Sequence, residues 1–178
     1  MLSWIKHFKN ILFPKICFSC GKQINTPSCT SCLLEIAENA AIQQTSVCGI
    51  RHYYLFEYHH RLRALLSEVK FKKDRDLWSD FIHHLKPVLE QVRSQLHVQG
   101  FAAVPLHRSR QMQRGFNQAE IITQALAFPQ QTRSPFLIRT RATQPLFELN
   151  EADRKKIVSQ AFAAKPGLNV QALCLVDD

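Results

Sequence analysis

Two cysteine pairs near the start of the chain carry the residue types best suited to chemistry. Cys17 and Cys20 frame two residues in CFSCG, and Cys29 and Cys32 frame two more in CTSC. Four thiolates at about 2.3 Å form the tetrahedral shell of a structural zinc. Two intervening residues let one tight turn aim both sulfurs at one metal, and Gly21 relieves crowding after the second cysteine. The alternatives are a redox CxxC or buried free thiols. A redox pair accounts for two of these cysteines and leaves the other two without a role, so zinc is the expectation. Four ligands close the shell, which makes the site structural and not catalytic. Cys48-Gly49 resembles the end of a third hook, but Thr45 stands where its first cysteine would be. One site is therefore expected. His59-His60 and His83-His84 are adjacent pairs whose side chains point apart on a helix or strand, which makes them poor ligands.

A second chemistry is anion binding. Arg108, Arg110 and Arg114 fall in residues 107–116, read as a polar, basic loop. It lies between an apolar run at 101–106 and a helix expected over residues 117–127. Asn117 suits the N-cap, Glu120 completes a capping box, and Phe116 and Ile121 occupy staple positions. Arginine forks beside free N–H groups at a helix start suit phosphate. At the other end, Val176-Asp177-Asp178 closes an apolar run at 170–176. Carboxylates at the carboxyl end of a buried strand stand where α/β sheets bind ligands. They could accept hydrogen bonds from ribose hydroxyls or hold a hydrated Mg²⁺.

These groups need a scaffold, and the apolar pattern outlines one. Trp4, Ile5, Phe8, Ile11 and Leu12 suggest a short amphipathic helix ended by Pro14, able to pack on the core or to touch a membrane surface. Residues 50–58 are aromatic and suit a strand. Leu62, Leu65, Leu66 and Val69 mark a helix stripe, and Leu77, Phe81, Leu85, Val88 and Val92 mark another, broken near Pro87. Residues 136–139 and 170–176 add strand candidates, and a helix starts near residues 150–153. Strands alternating with helices predict an α/β fold with a mainly parallel sheet. The expected division is a zinc-binding module over residues 1–49 and an α/β domain over residues 50–178.

Composition narrows the function classes. Apolar residues at 46% and charged residues at 21% exclude a largely disordered chain. No apolar run reaches about 18 residues, so no transmembrane segment is expected. Without a signal-peptide core, the expected location is the cytoplasm, with reduced cysteines and a peripheral contact at the inner membrane face left open. The five glycines argue against a glycine-rich phosphate loop. The net charge of +9 is uneven. Residues 61–75 hold six basic and two acidic groups, and residues 107–156 hold nine and four, while the rest of the chain balances. Such localisation fits an anionic partner, with Lys70, Lys72, Lys73 and Arg75 as candidate nucleic-acid contacts.

These stretches occur in one order: CFSCG, CTSC, VKFKKDRDL, VPLHRSRQMQRGFNQAEII, TRATQPLFELNEADRKKIVSQAF and LCLVDD. In that order the chain resembles the ComF family of competence proteins over nearly its whole length. RGFNQAE is the most specific stretch. The resemblance implies a zinc-binding module followed by a type I phosphoribosyltransferase-like domain. It implies a role in natural transformation, binding single-stranded DNA, a competence helicase, or both. It also implies that Asp177 and Asp178 begin a motif for phosphoribosyl pyrophosphate (PRPP), bound with Mg²⁺, whose pyrophosphate Arg108, Arg110 and Arg114 of the basic loop could address. The alternative is a phosphoribosyltransferase of nucleotide metabolism. Thr45 and Ile157 depart from the family's cysteine and asparagine at those places. The chain stops where the phosphate cradle would follow, so the expectation is a truncated product without transferase activity of its own.

Overall fold

The computed structural model describes residues 15–24, 28–127, 136–143, 150–166 and 170–178. The opening amphipathic helix of the sequence reading lies outside them. Among the described residues are seven α-helices and eight short strands in a mixed α/β arrangement. They fall into two compact units, residues 1–88 and residues 89–178.

The first unit begins with the antiparallel pair β1 (Lys15–Ile16) and β2 (Gln23–Ile24), which carries the first cysteine hook between its strands. Helix α1 (Thr30–Glu38) follows directly after Cys29 and buries Cys32, Leu33 and Ile36. Strands β3 (Gln43–Val47) and β4 (Ile50–Tyr54) form an antiparallel hairpin in which Val47 faces Ile50. Its two turn residues, Cys48 and Gly49, have φ of 52° and 78°. Positive φ at both central positions is the type I′ hairpin geometry, whose twist matches the strands. The pair read as a broken metal hook is thus a turn.

Helices α2 (His60–Phe71) and α3 (Arg75–His84) complete the unit. The α2 stripe buries Leu62, Leu65 and Val69. Leu77, Trp78, Phe81 and Ile82 of α3 are buried, and the Phe81 ring lies 5.6 Å from Trp78 and 5.9 Å from Phe56. Helix α3 packs on α1, and Arg61 of α2 ion-pairs with Glu35 of α1. The sequence reading put its boundary at 49. These contacts place residues 60–84 in the same compact unit as the cysteine hooks. Helix α4 (Lys86–Gln95) starts directly after Leu85, with Pro87 in its first turn, where a missing N–H costs nothing.

In the second unit, β5 (Gly100–Ala103) and β8 (Leu173–Val176) run parallel, in register from Gly100 opposite Leu173 to Ala103 opposite Val176. The turn after β5 leads into α5 (Arg108–Arg114) and α6 (Gln118–Leu126), and α6 packs on both strands. Strand β6 (Leu137–Arg139) pairs antiparallel with β7 (Phe162–Ala164), and α7 (Glu151–Ser159) lies between them in sequence. Parallel pairing among the described residues is therefore confined to β5 and β8. The other three pairs are antiparallel.

Candidate metal centre and anion-binding edge

The β1–β2 turn and the α1 N-terminus bring the cysteines together. The Sγ atoms of Cys17, Cys20, Cys29 and Cys32 all lie within 4.8 Å of one another. Cys29 Sγ is 3.7 Å from both Cys17 Sγ and Cys20 Sγ. Cys17 and Cys32 are buried, Cys29 is half-buried and Cys20 is exposed. The hook closes through Gly21 N–H donating to the Cys17 carbonyl at 3.0 Å, and Gly21 has the positive φ, 70°, that this turn requires. Cys29 is the N-cap of α1, so the second pair spans the first helical turn.

Cys17, Cys29 and Cys32 are shifted in different directions. Burial pushes the Cys17 thiol up, but backbone N–H donors from Cys20, Cys29 and Ser19 outweigh it, and its pKa falls to about 6. The Ser31 hydroxyl, then the Cys32 N–H, lower Cys29. Burial, then the neighbouring Cys29 sulfur, push Cys32 up to about 12. Such a split is what crowded thiols show: one ionises readily and its charge keeps the next protonated. A dication among the sulfurs would remove that repulsion. The geometry and the donor set could therefore hold a metal ion.

At the carboxyl end of the parallel pair, the two strands leave the sheet at the same edge. Val104 N–H donates to the Val176 carbonyl at 2.9 Å, just before Asp177 and Asp178, which are exposed. Residues 108–114, expected as a loop, form helix α5. His107 caps it by accepting from Ser109 N–H at 3.3 Å, and Gly115 ends it at φ 85°. The helix buries nothing, so its sequence carries no apolar stripe to announce it. Being helical separates the arginines. Arg110 and Arg114 are four apart on one face and half-buried, whereas Arg108 lies on the opposite side and is exposed. Asn117 caps α6 as expected, accepting from Ala119 N–H at 3.1 Å.

One residue that sequence reading passed over, at the end of β6, senses the charges of this edge. The Arg139 guanidinium donates to Thr143 Oγ1 at 2.5 Å and lies 5.2 Å from the Phe162 ring centre. Burial, then the charge of Arg110, pull its pKa down, while the Asp177 carboxylate pushes it back up. Arg139 thus feels both the α5 arginine and the first carboxylate after β8. The available signal was an arginine inside a short strand candidate, where an unpaired charge is costly. Next to it, Arg141, Thr143, Asp153, Lys156 and Gln160 line a cleft of about 590 Å³.

Lys70, Lys72, Lys73 and Arg75 lie in the first unit, at the end of α2 and the start of α3. Lys72 pairs with Glu68 at 2.8 Å, and Lys73 and Arg75 are exposed. Among the described residues, no helix is long and apolar enough to cross a membrane. Comparison with protein-family models, curated proteins and solved structures returned no match for this chain.

Proposed function

We propose that this chain handles single-stranded DNA during natural transformation, as a competence-associated protein of ComF type working beside a helicase. The observation that carries the reading is the shared edge of β5 and β8. It puts Asp177 within electrostatic reach of Arg139, on which Arg110 also acts. Arginines at that edge suit the backbone phosphates of a single strand, whereas the carboxylates could meet a sugar hydroxyl only at a strand's 3′ end. The charge excess in residues 61–75 and 107–156 supports an extended anionic partner over a small neutral one.

The proposed metal is zinc, held by Cys17, Cys20, Cys29 and Cys32 as a structural ion. A tetrahedron with bonds of about 2.3 Å has edges of about 3.8 Å, and the two 3.7 Å sulfur separations agree with it. A second reading, a PRPP-binding phosphoribosyltransferase using Mg²⁺, is favoured by one feature: Asp177 and Asp178 follow a parallel strand.

One matched titration separates these readings. The chain is titrated with a single-stranded oligodeoxynucleotide and with PRPP–Mg²⁺ at several salt concentrations. The DNA reading expects oligonucleotide binding without strong sequence preference, weakening with a log–log slope of about −0.7 per neutralised phosphate. Replacing Lys70, Lys72 and Lys73 with alanine should flatten that slope. Tight PRPP–Mg²⁺ binding without oligonucleotide binding would replace it with the transferase reading. Binding of neither at low salt would sink both.

A further inference from the structure

We propose that the end of helix α2 is a stacking platform for an unpaired nucleic-acid base, with Phe71 as the stacking ring and Lys73 and Arg75 as the phosphate contacts. The inference rests on the nucleic-acid reading above and names where and how a single strand is held.

Phe71 lies off the helix stripe. Val69 is the last buried position of α2, and two residues further on a helix turns by about 200°, so the ring points away from the core. It is 82% exposed, more than any other large apolar side chain described. An exposed phenylalanine by itself needs no explanation. Its neighbours make this one different. Lys72, Lys73 and Arg75 are all exposed around it. Of the nearby carboxylates, Glu68 is paired with Lys72, and Asp74 is turned to cap α3, accepting from Leu77 N–H at 2.9 Å. Asp76 lies in the first turn of α3, where the helix dipole favours it. Among the described residues, Lys73 and Arg75 form no ion pair. A bare ring among cations, two of them unpaired, is the pairing of features with which proteins hold single strands.

The backbone adds an independent observation. Lys73 has φ 58°, a left-handed conformation that a lysine adopts only at a cost and that glycine or asparagine takes readily at a helix end. Lys72 caps α2 and Asp74 caps α3, so this single residue makes the whole turn between the helices. A cation is held where the fold prefers no side chain at all. Such strain clusters at binding sites, and here it holds a cation beside the exposed ring. An exposed ring can accept a base on its face only if that base is unstacked from its neighbours, so the site selects single strands over duplex. It also selects bases over bare phosphate.

Four ligands test this: a thymidine oligomer, the same oligomer with abasic residues, a duplex, and anionic lipid vesicles. Phe71→Ala should weaken binding of the thymidine oligomer about tenfold at every salt concentration, leaving the salt slope unchanged. It should leave abasic and duplex binding as they were. Phe71→Trp should keep the affinity, and its added fluorescence should be quenched by the oligomer. Lys73→Gly should raise the melting temperature by about 3 °C, while weakening binding and flattening the slope by about 0.7. Equal losses on the intact and abasic oligomers would overturn the stacking role. Losses only on vesicles would reassign the surface to lipid. An Ala variant that binds the oligomer normally overturns this inference alone, whereas a wild-type chain that binds no oligomer overturns the nucleic-acid reading with it.

Discussion

The Asn117 side-chain amide donates to the Val104 carbonyl at 3.0 Å, while its oxygen accepts from Ala119 N–H at 3.1 Å. One buried side chain thereby caps α6 and ties it to the residue that follows β5. Asn117→Ala removes the cap and leaves the half-buried Val104 carbonyl short of a donor. A loss of about 2 kcal/mol is expected. Denaturant titration checks it, and a change below a few tenths would mean that water replaces both bonds.

Metal analysis of the purified protein should find about one zinc per chain, since four thiolates complete one shell. Cys17→Ser should lose the metal and unfold the β1–β2 pair and α1, because binding supplies much of the folding energy of so small a module. Zinc retained by a Cys17→Ser, Cys29→Ser double variant would remove the assignment.

Metal loading should depend on pH with a definite sign. Cys17, at about 6, is a thiolate at neutral pH and has no proton to lose. Cys32, held near 12 by burial and its neighbours, must release one when it binds. Apparent affinity should therefore rise as pH climbs from about 6 to 9, and should fall more steeply below 6, where Cys17 also protonates. Calorimetry in two buffers of different ionisation enthalpy counts the protons. A count of zero would exclude Cys32 as a ligand.

Arg139→Ala should cost about 1 to 2 kcal/mol, from the Thr143 hydrogen bond and the Phe162 ring contact. Arg139→Lys keeps the charge but loses the fork. If Arg139 serves the anion site and not only the β6–β7 pair, both variants weaken oligonucleotide binding, and the alanine variant alone reduces the salt slope. Equal slopes in all three proteins would confine Arg139 to a structural role.

Cys48 occupies a left-handed position in the β3–β4 turn that asparagine suits better. Cys48→Asn should stabilise the first unit by about 0.5 to 1 kcal/mol and leave the zinc content unchanged. Loss of zinc in this variant would make Cys48 a ligand after all.

Features governed by neighbours in sequence could be read directly from the chain. The spacing of Cys17, Cys20, Cys29 and Cys32 decides where a turn can point their sulfurs. The stripe of Leu62, Leu65 and Val69 decides which face of α2 is buried, and Asn117 and Asn150 mark the starts of α6 and α7. Each depends on a period or a cap, and both are local. Local signals failed where the usual residue was missing. The β3–β4 turn uses cysteine in place of asparagine, and α5 is a helix with no buried side to give it a stripe. The rest was decided by tertiary structure alone. Pairing β8 beside β5 joins residues more than seventy positions apart, and that pairing carries Asp177 to within electrostatic reach of Arg139. No local preference encodes such a meeting, because the free energy that selects it comes from burying Phe101, Ala102 and Val176 together.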